Sequence, residues 1–186
     1  MTSRWRPDFD PSHLYFITTT AANRIRIFQR DIIKRLLVDG LYYVSLMNHV
    51  QLYAFVVMPN HIHVIIQCPM DCPPKDWVRA FKTGTAQLIV RLYQVEGNQA
   101  ALKKLAALVT RPEKQVYKVW EDGYLPKNIF TSAFLAQKLT YLHHNPLQPH
   151  WQLVSAPEDY VWSSARYYLK GEAAIIPIAD IRELLI

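Results

Sequence analysis

Apolar residues recur along this chain with two periods, one of two residues and one close to 3.6, and the two alternate from the N-terminus onward. Leu14–Thr20 (LYFITTT) is aromatic and β-branched and predicts a strand. From Asp31 to about Met47, the residues Ile33, Leu36, Leu37, Leu41 and Val44 fall at helical spacing and predict a helix, which Gly40 weakens. Gln51–Val57 and His61–Gln67 predict two strands joined by the Met58-Pro59-Asn60 turn. Lys75–Val95 places Trp77, Phe81, Leu88 and Leu92 on one face of a long helix. Asn98–Val109 reads as a short helix within an insertion near 96–114, and Gln115–Trp120 as an edge strand. Gly123, Pro126 and Asn128 mark a loop. A helix capped by Thr131 or Ser132 runs to about His144, where Asn145-Pro146 stops it. Pro146, Pro149 and Pro157 predict an irregular stretch, Tyr160–Lys170 a last short helix, and 171–186 a C-terminal tail.

The resulting order, β-α-β-β-α-(β)-α, predicts an α+β fold: a ferredoxin-like or RRM-like antiparallel sheet with helices packed on one face. The other face is then free for a ligand.

Composition narrows the class. With 186 residues, 51% hydrophobic and 19% charged, the chain reads as one globular domain over 1–170 plus the tail. No apolar run approaches a membrane span, and the opening MTSRWRPDFDPSH has no apolar stretch of a secretory signal. Two cysteines, Cys68 and Cys72, make no disulfide scaffold. These features predict a cytoplasmic protein with no membrane contact. Charge adds a partner class. Residues 1–138 carry 18 bases against 10 acids, and residues 139–186 carry 3 against 5. A basic body fits a polyanion such as nucleic acid.

The candidate chemistry sits in two places. His61 and His63 flank Ile62 on a predicted strand, so both imidazoles leave the same face and can share a divalent ion. The same pattern also suits two strand histidines with no chemical role. Tyr141 and Asn145 lie four apart on one helix face, with Gln137 a turn earlier. A tyrosine hydroxyl can be a covalent nucleophile, and an asparagine oxygen can hold a metal. Core packing for Tyr141 and a helix end for Asn145 are the plainer alternatives. His143 and His144 are expected to face solvent or phosphate. Cys68 and Cys72 are expected to be structural, and no Walker loop, G-x-G-x-x-G, G-x-S-x-G or H-E-x-x-H occurs.

Taken together, MPNHIHVII, KLTYLHHNP and EDYVWSSARYY occur in an order that resembles the REP-associated tyrosine transposases, a group of HUH single-strand nucleases. The resemblance spans roughly Leu14–Lys170. Trp120, Gly123, Tyr124 and Pro126 of WEDGYLP and the Trp162-Ser163-Ser164 run also match. It implies a Mg²⁺ or Mn²⁺ ion on His61, His63 and Asn145, and Tyr141 as the nucleophile that forms a 5′-phosphotyrosine. The implied partner is single-stranded DNA folded into REP-type palindromic hairpins, bound by a monomer or homodimer. Arg24, Arg26, Lys82 and Arg91 are candidate phosphate contacts. Two other readings keep the fold: a non-catalytic RRM-like nucleic-acid-binding module, and a small metal-dependent hydrolase with a water nucleophile.

Overall fold

The computed structural model describes residues 9–184. The opening MTSRWRPD and the last two residues of the expected tail, 185–186, lie outside them. Nine regular elements follow in order among the described residues. They are β1 (Leu14–Thr20), α1 (Asp31–Met47), β2 (Gln51–Val57), β3 (His61–Gln67), α2 (Pro74–Val95), α3 (Gln99–Ala107), β4 (Leu125–Ile129), α4 (Ser132–His144) and α5 (Ala165–Lys170). The sheet has the order β2-β3-β1-β4 with every pair antiparallel. This is the ferredoxin-like α+β arrangement that the alternation of elements predicts.

Strand periodicity sorts the core into two layers. Tyr15 and Ile17 of β1, with Ile62, Val64 and Ile66 of β3, pack against Ile33, Leu37 and Leu41 of α1 and Trp77 and Phe81 of α2. Leu14, Phe16 and Ile65 point the other way, onto Leu135 and Leu142 of α4. The second face is therefore not left open along its whole length: α1 and α2 share one face, and α4 covers part of the other. The apolar run Leu14–Ile17 carries the reason, because a strand buried on both faces does not alternate. A bulge at Leu52/Ala54 lets Tyr53 and Ala54 both face the α4 layer, which deepens that core beside β2.

Two elements differ from the periodicity reading. The fourth strand is Leu125–Ile129, not Gln115–Trp120. An edge strand needs only one ladder, so Pro126 is tolerated there although it has no N–H to donate. Of the earlier segment, only Trp120 makes a bridge, to Ala21. Residues 171–184 do not hang free: Ile176 and Ile181 are buried, and Ala179 N donates to Leu52 O at 2.9 Å. The Trp162-Ser163-Ser164 run caps the outer edge of β2, with Val57 N donating to Trp162 O and Ser164 N to Phe55 O, both at 2.9 Å. Covering an edge in this way blocks strand addition there.

Gly40 is a close-approach glycine. A Cβ at this position would meet Thr85 Cγ2 at 2.7 Å. Thr85 cannot retreat, because its hydroxyl donates to Phe81 O (2.7 Å) and accepts from Trp120 Nε1 (3.1 Å). Alanine normally improves a helix interior by about 1 kcal/mol. Here the overpacking outweighs it, and Gly40→Ala is expected to destabilise the protein by about 1–3 kcal/mol in urea denaturation.

Candidate functional site

His61 and His63 project together from β3 onto the α4 side of the sheet, with ring centroids 4.7 Å apart. The last turn of α4 and its C-cap residue deliver Tyr141 and Asn145 to the same place. The Tyr141 ring lies 5.3 Å from that of His63 and 6.1 Å from that of Phe16. Asn145 Nδ2 lies 3.2 Å from His63 Nε2. All four residues line an open cleft of about 850 Å³. Tyr141 is 43% exposed to it, whereas His63 and Asn145 are buried at its floor.

The hydrogen bonds around the histidines fix their protons. Asn60 Nδ2 donates to Arg24 O at 2.9 Å, so Asn60 Oδ1 is the atom that faces His61 Nδ1 at 2.7 Å. That oxygen only accepts, so His61 carries its proton on Nδ1 and leaves a lone pair on Nε2. His63 Nδ1 pairs with Thr18 Oγ1 at 2.8 Å, and its Nε2 accepts from the Asn145 amide. Burial holds His61 down to about 4, against a smaller upward pull from the Asn145 side chain. Burial, then the neighbouring His61, pushes His63 well below the ordinary histidine range. Both imidazoles are therefore neutral at pH 7, the form that binds metals.

Asn145 Oδ1 is buried and has no hydrogen-bond partner. A buried carbonyl oxygen without a partner is costly, and beside two imidazole nitrogens it is a ready cation ligand. Among the described residues no three His, Cys, Asp or Glu side chains converge on a metal-binding point. The donor set here is two imidazoles and an amide, and it fits a divalent cation once the Asn145 N–H gives up His63 Nε2 to it.

The α4 helix is held in place by the other histidine of its last turns. His143 is buried with Nε2 2.9 Å from Ser164 Oγ, and Ser164 Oγ also accepts from Phe55 N at 3.0 Å. His143 thus pins the helix that carries Tyr141 to β2 and does not face solvent or phosphate, while His144 is exposed. Burial also pushes His143 down to about 4. His61, His63 and His143 all have folded-state pKa values below their unfolded value near 6.5, so the unfolded chain binds protons first as pH falls. Metal-free protein is expected to keep full stability above about pH 7. Its melting temperature should then fall progressively between about pH 6.5 and 4 in a calorimetric series.

Of the four basic residues singled out in the sequence, Arg24 and Arg26 line the cleft. Asn23 and Arg24 both adopt left-handed backbone (φ 50° and 54°), and the Asn60 amide and the Glu121 carboxylate hold this turn. Lys82 and Arg91 are not brought to the cleft, because α2 packs on the opposite face of the sheet. Lys82 Nζ donates to the carbonyls of Glu121 and Gly123, and burial lowers its pKa to about 8. It braces the WEDGY loop, and that loop in turn holds the Asn23–Arg24 turn. Other cleft residues escaped the sequence reading: Lys127 on β4, Lys138 on α4, and His150 and Trp151 beyond it. Lys138 Nζ lies 5.0–5.5 Å from the ring centroids of Phe16, Phe134 and Tyr141.

The family model for IS200-like transposases matches residues 11–106, from β1 through α3 and including both cleft histidines. The chain belongs to the IS200-like transposase family. Members of this family are DNA-cleaving and DNA-joining enzymes. No curated protein matches the chain in sequence. A solved REP-associated tyrosine transposase bound to a REP hairpin shares the fold at TM-score 0.65 and 18% identity, over 97% of this chain and 93% of that one. A Deinococcus radiodurans R1 structure described as a transposase aligns at TM-score 0.47 and 19% identity, over 77% of this chain and 97% of that one. The family match ends before Tyr141 and Asn145, and the fold joins them to it. No helix among the described residues of this transposase is long and apolar enough to cross a membrane.

Proposed function

We propose that this transposase cleaves and rejoins single-stranded DNA through a covalent bond to Tyr141, with Mg²⁺ or Mn²⁺ held by His61, His63 and Asn145. One observation carries the reading: two neutral imidazoles on one strand face, with the unpartnered Asn145 oxygen and the exposed Tyr141 beside them. When bound, the cation draws charge from the scissile phosphate and makes its phosphorus more electrophilic. Tyr141 Oη then forms a bond to phosphorus while the P–O3′ bond breaks. The phenol proton leaves and the departing 3′ oxygen takes one up. The product is a 5′-phosphotyrosine and a free 3′-OH. The phosphodiester energy is conserved in the tyrosine ester, so another 3′-OH can reverse the step and join strands without ATP.

Arg24, Arg26, Lys127 and Lys138 give the cleft four cations and no carboxylate, which suits a phosphate backbone. A structural relative at 18% identity was solved on a REP hairpin, and a palindromic hairpin with a single-stranded flank is the substrate we propose here. His61, His63, Tyr141 and Asn145 come from one chain, which supports a monomer as the catalytic unit. The test is to incubate the protein with Mn²⁺ and labelled hairpin DNA taken from beside its own gene. A labelled band that survives denaturation and disappears with EDTA is expected. Cleavage without an adduct would favour a water nucleophile, and binding without cleavage would favour a non-catalytic module.

A further inference from the structure

Four rings follow one another in the cleft, each in contact with the next. Tyr141 touches His63, His63 touches His61 at 4.7 Å, and His61 touches Trp151 with centroids 5.9 Å apart. The nucleophile therefore stands at one end and an indole at the other, with the imidazole pair between. The Arg26 guanidinium lies 5.1 Å from the Trp151 ring centroid, and Arg26 is exposed. An exposed cation–π contact is weaker than the stack of a nucleobase on an indole, so DNA can displace it. Arg26 then remains beside the strand as a phosphate partner.

The geometry points to Trp151 as the stacking platform for the unpaired base immediately 5′ of the scissile phosphate. The assignment rests on the tyrosine reading above. In phosphoryl transfer the attacking and leaving oxygens lie roughly in line across phosphorus. A phosphate seated over the imidazole pair is attacked from the His63 end by Tyr141. Its leaving O3′ must then point toward the His61 end, where Trp151 stands. The nucleotide that owns that O3′ is the one on the 5′ side of the cut. A base fixed there holds the freed 3′-OH next to the phosphotyrosine, in place for the reverse reaction. Trp151 is thus a positioning residue.

The experiment has two stages. Wild-type protein with Mn²⁺ and an end-labelled hairpin oligonucleotide first locates the cut. Tyr141→Phe protein, which cannot cleave, is then titrated into the same oligonucleotide carrying 2-aminopurine either just 5′ or just 3′ of that bond. Emission from the 5′ probe is expected to fall severalfold on binding as it stacks. In the Tyr141→Phe background, Trp151→Leu keeps apolar bulk but should remove that fall and weaken binding about tenfold. Trp151→Phe should restore both in part. A fall confined to the 3′ probe, or one unchanged in Trp151→Leu, would overturn the assignment. So would loss in Trp151→Leu with no recovery in Trp151→Phe, which marks a purely structural residue. Absence of a covalent adduct with wild-type protein would overturn the tyrosine reading itself, and this assignment with it.

Discussion

Tyr141→Phe is expected to reduce covalent adduct formation on hairpin DNA below detection while leaving DNA affinity within about twofold. The substitution removes one oxygen. Phe keeps the ring that packs against His63 and Phe16 and that carries the Lys138 ammonium on its face. Tyr141 is 43% exposed, so the stability change should stay within about 0.5 kcal/mol. The cations lining the cleft and the Trp151 ring are untouched, and these are the groups proposed to carry the affinity. No amount of Mn²⁺ should recover adduct, because the atom that attacks phosphorus is gone. The measurement pairs a denaturing gel with a fluorescence-anisotropy titration. If Tyr141→Phe cuts the hairpin at a rate near wild type, water or another side chain is the nucleophile and the tyrosine mechanism is wrong for this protein.

The parts of this site that the sequence displays are those encoded by local periodicity. His61 and His63 share a face because a strand repeats every two residues, and Tyr141 and Asn145 share a face because a helix repeats every 3.6. Both pairs are legible within five residues of chain. Their meeting is not legible from periodicity, and the motif resemblance alone implies it: Asn145 lies 82 positions from His63, and the order of strands and the packing of α4 bring the two within 3.2 Å. Trp151 was hidden for a different reason. It follows Pro146 and Pro149, where no period survives to say which way a side chain points. Lys138 and Lys127 read as ordinary solvated bases until α4 and β4 are placed beside the histidines. Lys82 shows the converse error: a lysine on an amphipathic helix looks like a phosphate contact, yet its ammonium is bonded to two loop carbonyls. The misplaced fourth strand has the same origin. Pro126 and Asn128 are loop residues by propensity, and only their position on a sheet edge makes them tolerable in a strand.

His63→Ala is expected to abolish the stabilisation that Mn²⁺ gives the protein, in addition to stopping cleavage. A ligand that binds only the folded state stabilises it by about 2.7 kcal/mol at 100 times its Kd, which raises the melting temperature by several degrees. In wild-type protein that rise should be plain. His63 is buried, and its ring satisfies Thr18 Oγ1 and Asn145 Nδ2. Its removal leaves a cavity and two polar groups without that partner, so the metal-free variant should itself lose about 2–4 kcal/mol. Loss of activity alone would therefore not separate metal binding from damage to the fold, and the Mn²⁺-dependent shift does. His61→Ala makes the comparison cleaner, because His61 is less buried and its Asn60 partner keeps its bond to Arg24 O. High Mn²⁺ should partly rescue cleavage by this variant. Asn145→Ala deletes an oxygen that has no partner to lose, but also the Nδ2 donor to His63 Nε2, so the metal-free variant should itself lose about 1–3 kcal/mol. Its Mn²⁺ shift should shrink without vanishing, because water can replace a neutral amide ligand. An undiminished Mn²⁺ shift in both His61→Ala and His63→Ala would place the cation away from this cleft, and the donor set assigned here would be wrong.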